Sequence, residues 1–323
     1  MLAHLPIFLV AALLCACSSD RSVQLVTHPV ADPSGCTWQL PTATGHIAGT
    51  ALSELSGLAR SRRHPDRFYG HNDSGNPPDI YALDSAGHLY ATYHLTGTAN
   101  IDWEDIAVGP CEPPLPDAPT PADCVWIADI GDNADSRKGV QLVRWSEPTE
   151  LPGAPSNVSI EVGKKDWQEL AFTYPEGAQN AEALVILPDA RAVVLTKRND
   201  GTSVVYRLTP HWDHLNDKPA KVERLGLLTL AVGSTKDGGE LKLTAADLTA
   251  DGTSLILRTY GSLQLLRAAE RLAMPKPDVA GWPRLVLPSP TESQGEAVTW
   301  DADGSILTAS EGTDPAIYRV ICK

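Results

Sequence analysis

The chain is short of cations. Lys and Arg total 26 against 40 Asp and Glu, which leaves a formal net charge of −14 over 323 residues. A nucleic-acid face must offer cations to phosphates, and no basic patch with interleaved aromatics occurs, so that class of partner is excluded. No paired His or Cys spacing suggests zinc. There is no Gly-x-Ser-x-Gly elbow, which disfavours a triad serine hydrolase, and no phosphate-cradling loop. Past the first residues no apolar run is long enough for a transmembrane helix. Helical periodicity is rare from Thr37 on.

The N-terminus comes off the fold problem first. Residues 5–16 read LPIFLVAALLCA, the length of a signal h-region. The following Leu14-Cys15-Ala16-Cys17 resembles a lipobox. This implies a signal peptide over 1–16 and a lipid on Cys17, with an ordinary cleaved secretory signal as the alternative. The n-region has His4 but neither Lys nor Arg. A lipid on Cys17 anchors a protein to the membrane without spanning it. The expected location is extracytoplasmic, on the cell envelope. Residues 17–35 read as a tether, and 36–323 as one domain.

That domain carries a weak repeat. Each unit opens on an acid followed by small and apolar residues: Glu54, Glu104, Glu182, Asp247 and Glu296. The steps are 50, 78, 65 and 49 residues, and the Pro-rich stretch between Cys111 and Cys124 accounts for much of the longest. A turn, a second strand, a third strand of loose Ile/Val-Tyr-x-Leu/Val form and a fourth strand follow each opening. Four short strands per unit is the signature of β-propeller blades, so the expected fold is all-β with five blades, six being the alternative. The fifth unit lacks a fourth strand. The segment Cys36–Pro41 is expected to supply it beside AIYRVIC, closing the ring. Four mature cysteines allow three pairings. The closed ring selects Cys36–Cys322, with Cys111–Cys124 stapling the Pro-rich loop, and disulfides fit an oxidising compartment.

Blade geometry gives the acids meaning. Inner strands line the central channel and run antiparallel to the second strands, so the starts of one lie beside the ends of the other. The second-strand ends carry His71, Asp73, Asp129, Asp132, Lys197, Arg258 and Glu311. Carboxylates crowded at one channel mouth either keep protons or take up a cation. An oxygen-only donor set in an exported protein favours Ca²⁺. Glu54, Glu104, Glu182, Asp247 and Glu296 are therefore the candidate metal residues. Glu104, Glu182 and His71 are the candidate catalysts, and Asp73, Asp129, Asp132, Lys197, Arg258 and Glu311 the candidate ligand contacts. The competing reading is structural: the acids accept backbone N–H bonds and tie blades together, and Asp and Asn shape turns. Trp103, Trp126, Trp145, Trp167 and Trp300 read as packing between blades.

The blocks ELSGLARSRRHPDRFYGHNDSGN, NIDWEDIAVGP, IADIGDN and YPEGAQNAEAL resemble a group of uncharacterised secreted bacterial β-propellers over most of residues 53–188. More distantly, the ring of acids is similar to the calcium-binding propellers of the gluconolactonase and senescence-marker type. Those hold one metal with a Glu, an Asn and an Asp, so Glu54, Glu104 and Glu182 match in kind. Five-bladed glycosidases also place three carboxylates at the channel mouth, where Asp73 is similar to one on their first strand. The sequence thus carries three functional readings. One is a lipid-anchored binding module with a cation in its channel, for a small-molecule, glycan or protein ligand. The second is a Ca²⁺-dependent hydrolase of an ester, lactone or phosphoester. The third is a glycosidase.

Overall fold

The computed structural model describes residues 26–115, 122–209, 220–230 and 241–323. The expected signal peptide and Cys17 lie outside the described residues. A small pair of strands, β1 (Val30–Ala31) and β2 (Thr37–Trp38), precedes β3 (Thr42–His46). Blade one comprises β4 (Leu55–Arg60), β5 (Phe68–Asn72), β6 (Asp79–Leu83) and β7 (Leu89–Leu95). Blade two comprises β8 (Trp103–Pro110), β9 (Asp123–Asp129), β10 (Val140–Ser146) and, after β11 (Val158–Val162), β12 (Trp167–Phe172). Blade three is β13 (Ala181–Ile186), β14 (Ala192–Thr196), β15 (Thr202–Thr209) and β16 (Lys221–Thr229). Blade four is β17 (Leu243–Leu248), β18 (Ser254–Thr259), β19 (Ser262–Arg267) and β20 (Leu285–Leu287). Blade five is β21 (Gly295–Trp300), β22 (Ile306–Ser310), β23 (Ala316–Val320) and, from the N-terminus, β3. The inner strands β4, β8, β13, β17 and β21 touch one another in cyclic order, which makes the fold a five-bladed β-propeller.

Buried residues explain the ring. Strands such as AEALVI and SLILRT are buried at every position. A run buried on both faces belongs inside a stack of sheets, not on a half-solvated one. Apolar side chains accordingly group by blade interface. Ala59, Tyr69 and Tyr93 of blade one meet Ile106, Val125 and Trp145 of blade two, and Ala297 and Leu307 of blade five meet Leu55 and Phe68 of blade one. The five tryptophans assigned to packing are all buried.

Two expectations needed correcting. The closing strand is Thr42–His46, not Cys36–Pro41, because Pro41 breaks the pairing. Thr37 and Gln39 still bond to Lys323 and Ile321, so the whole segment runs beside the last strand. The longest inter-blade step holds more than the Pro-rich loop. It also holds β11, which crosses back and adds a parallel fifth strand to the edge of blade one, against β7.

Both expected disulfides form, Cys36–Cys322 across 286 residues and Cys111–Cys124 across 13. The long one fastens the two ends of the chain at the point where blade five is completed. Restricting an unfolded loop of that length is worth on the order of 5 kcal/mol, against about 3 kcal/mol for the short one. We predict that removing Cys36 and Cys322 together (both to Ser) lowers the unfolding free energy in urea by about 2–5 kcal/mol, more than removing Cys111 and Cys124. An equal or greater loss from the short bridge would show that ring closure does not depend on the clasp.

Candidate functional site

One local irregularity recurs in every blade. The inner strand carries a single extra residue against its neighbour: Ser56 between Leu55 and Gly57, Glu104 between Trp103 and Asp105, and Glu182 between Ala181 and Ala183. Thr244 and Glu296 are its counterparts in blades four and five. A bulge re-aims a side chain that the pleat would otherwise commit to one face. The true ring of equivalent positions is therefore Ser56, Glu104, Glu182, Thr244 and Glu296. The uncharged members tie blades together: Ser56 Oγ donates to the Glu104 carbonyl at 2.8 Å, and Thr244 Oγ1 to the Gly295 carbonyl at 2.8 Å. The three glutamates are at most 4% exposed.

Asp73 and Asp102 join Glu104. Asn100 explains how, since its side-chain N–H groups bond the carbonyls of Asn72 and Asp73, and its oxygen accepts from Trp103 N. This clamps the end of β5 to the start of β8. One oxygen each from Asp73, Asp102 and Glu104 then lie within 4.8 Å of one another. Gly131 makes room for them: a Cβ there would meet Glu104 Oε1 at 2.0 Å and Asp102 Oδ2 at 2.5 Å. Burial and the neighbouring Asp73 raise the Asp102 pKa. The donor set is oxygen-only and fits a hard cation such as Ca²⁺.

Glu104 also hydrogen-bonds Glu182, whose Oε2 lies 2.9 Å from Lys197 Nζ. Two carboxyls can bond each other only through a shared proton. Glu104 keeps it, because burial raises its pKa well above the ordinary value and the Lys197 ammonium sits on Glu182 instead. Lys197 also lies 5.0 Å from the Tyr260 ring. Burial and Glu296 push the Tyr260 phenol up to about 12. Burial, reinforced by Glu182 and Glu311 and opposed by Lys197, raises Glu296 to about 8. Burial and the carboxylates of Asp73 and Glu54 raise Glu311 to about 7. Glu54 itself is exposed and accepts a bond from Asn76.

The mouth thus gathers Glu54, Asp73, Glu104, Glu182, Lys197, Glu296 and Glu311. Other expected members fall elsewhere. Asp247 lies three positions beyond the blade-four bulge. Its carboxylate accepts from Leu248 N, Trp300 N and Thr299 Oγ1 and so ties blade four to blade five. Asp129 is fully buried, with Arg137 at 2.8 Å and Gln141 at 3.0 Å. Asp132 accepts from Ser136 N and Arg137 N and shapes a turn. Arg258 is fully buried against Gly295, bonded to Ser289 and to Glu292. His71 is fully buried, its ring 5.6 Å from Trp103 and edge-on, and burial keeps it neutral. These residues hold the scaffold together.

Asp102, Tyr260 and Asp105 were not foreseen. Asp105 is buried and accepts from Ile106 N, Leu184 N and Ala246 N, reaching blades three and four. In WEDIA, Glu104 and Asp105 are adjacent acids with opposite fates. Only the bulge separates them.

No protein-family model and no curated protein matches the chain. Among solved structures it is similar to the PQQ-bound form of an aldose sugar dehydrogenase from Streptomyces coelicolor, at 12% identity and TM-score 0.48, covering 91% of this chain and 100% of that one. It is also similar to a streptogramin B lyase at 8% identity and TM-score 0.41, covering 88% and 98%. A gluconolactonase from Xanthomonas campestris aligns at 10% identity and TM-score 0.43, covering 94% and 97%. At these identities and scores nothing about activity carries over, so the site's chemistry rests on this chain's own residues.

The raised acids set a pH dependence. Glu296 titrates near its ordinary 4.5 when unfolded and at about 8 when folded. The folded state therefore binds the extra proton between those values. Its contribution to stability is fully present below about pH 4.5 and lost as pH rises through about 8. In chelator-treated protein we predict that Glu296→Gln flattens this decline, measured by urea unfolding across that range. An unchanged slope would show that Glu296 keeps no extra proton.

Proposed function

We propose that the acidic mouth holds a divalent cation, with Ca²⁺ the best chemical match, and that the protein hydrolyses an ester, lactone or phosphoester presented to it. The observation that supports this most is the junction of two arrangements at Glu104. On one side its oxygen converges with those of Asp73 and Asp102. On the other it shares a hydrogen bond with Glu182, whose pKa burial raises and the Lys197 ammonium 2.9 Å away draws back down. A bound cation supplies charge stabilisation at the scissile oxygen.

The chain's own residues supply the rest. Glu182, buried with its pKa raised toward that of a useful base, takes the proton of an attacking water and later returns it to the leaving oxygen. Lys197 holds Glu182 Oε2, and Asn180 reaches Oε1 at 3.3 Å, which fixes the carboxylate's orientation. Glu296 and Glu311 close the other side of the mouth.

The glycosidase reading needs carboxyls about 5 Å or about 6.5–9.5 Å apart. Glu104 and Glu182 are in direct hydrogen-bond reach, so this pair does not support it. A binding module is the reading that remains if the mouth takes up a cation and ligand without turnover. Two disulfides suit an extracytoplasmic compartment, and no helix among the described residues is long and apolar enough to cross a membrane. Lipid on Cys17 belongs to the same proposal.

We expect Glu182→Gln to lower turnover of a responsive aryl ester, lactone or phosphodiester by about 10²–10⁴-fold while leaving Ca²⁺ affinity within a few-fold. Asp102→Asn should weaken Ca²⁺ binding by tenfold or more in calorimetry. Full turnover in Glu182→Gln, or activity indifferent to both chelator and Asp102→Asn, contradicts the proposal. Ca²⁺ binding with no turnover on any of the three ester classes leaves the binding role alone.

A further inference from the structure

The far end of the channel mixes both signs of charge. A cavity of about 560 Å³ opens where inner strands β4, β17 and β21 end, beside the Cys36–Cys322 clasp. That volume is in the range that accommodates small organic ligands. Arg60, Arg62 and Arg267 line it, together with Asp247, Asp251 and Asp301.

The lining acids are already satisfied, Asp251 included, which accepts from Thr249 Oγ1, Thr253 N and Thr253 Oγ1. Asp247 accepts three hydrogen bonds from Leu248, Thr299 and Trp300. Asp301 pairs with Arg319 at 2.7 Å, outside the cavity lining. Two of the arginines are partly engaged: Arg267 with Asp32 at 2.8 Å, and Arg62 through Nη1 with Asp123 at 3.2 Å. Arg60 is different. Its Nη1 donates to the Ser61 carbonyl, and among the described residues it has no carboxylate partner. A guanidinium without a carboxylate partner, lining a cavity of ligand size, suits an anionic acceptor.

We propose that this cavity binds a small organic anion, a carboxylate or phosphate ester, held by Arg60 with support from Arg62. The guanidinium fork suits either group, since both offer two coplanar acceptors at matching spacing. The site is separate from the acidic mouth and does not depend on its activity.

The test is calorimetric titration of the whole protein with acetate, citrate, inorganic phosphate and glucose 6-phosphate, at low ionic strength and with chelator present. The carboxylate and phosphate arms distinguish the two ligand sources. We expect saturable one-site binding for at least one probe. Arg60→Gln should weaken it by about tenfold or more, Arg60→Lys by less, and Asp102→Asn at the other mouth should leave it unchanged. Thermal melts establish that each variant is folded, and Arg60→Lys serves alone if Arg60→Gln is not. No saturable binding by any probe at millimolar concentration overturns the proposal. So does binding that survives both Arg60 substitutions or disappears in Asp102→Asn.

Discussion

One ammonium faces a crowd of carboxyls. Lys197 stands at a channel mouth with Glu54, Asp73, Asp102, Glu104, Glu182, Glu296 and Glu311 gathered there, and among the described residues its ion pair is with Glu182. Charges of one sign cannot all ionise in so small a buried space. The fold meets this by keeping protons on Glu104 and Glu296, and the same crowding gives the mouth its affinity for a cation. The site and its energetic cost have one origin. The propeller tolerates it because apolar clusters fill the blade interfaces and the Cys36–Cys322 clasp closes the ring.

The architecture was legible in the sequence because it is repetitive. Short strands at recurring spacing, and a last unit one strand short, are enough to indicate a closed ring and to pair the cysteines. Asp73, Glu104, Glu182, Lys197, Glu296 and Glu311 were legible for the same reason, as starts and ends of repeated strands. The phase of the repeat was not. Choosing acids as its marker selects Glu54 and Asp247, whereas the bulge sits at Ser56 and Thr244, residues with no charge to attract notice. Bulges depend on backbone pairing, which composition does not report.

Other misses have the same physical root. Asp129 and Arg258 look like mouth residues until Arg137 and Glu292, brought in from other parts of the chain, neutralise them. His71 ends a strand at the right place, but its ring turns into the packing beside Trp103. Strand β11 was hidden because VSIEV is mostly exposed and pairs by its backbone alone, so no alternation marks it. Asp102 was overlooked because Asn100, not the repeat, brings Asp73 to it.

Everything proposed for the mouth depends on Asp73, Asp102 and Glu104 forming one cation site. Anomalous X-ray scattering from crystals of protein purified without chelators tests it most directly. A bound Ca²⁺ gives a peak about 2.3–2.6 Å from an oxygen of each of the three residues, as its coordination requires. A channel mouth without a peak in crystals grown with millimolar Ca²⁺, or an ion bound only at unrelated surface carboxylates, would contradict it.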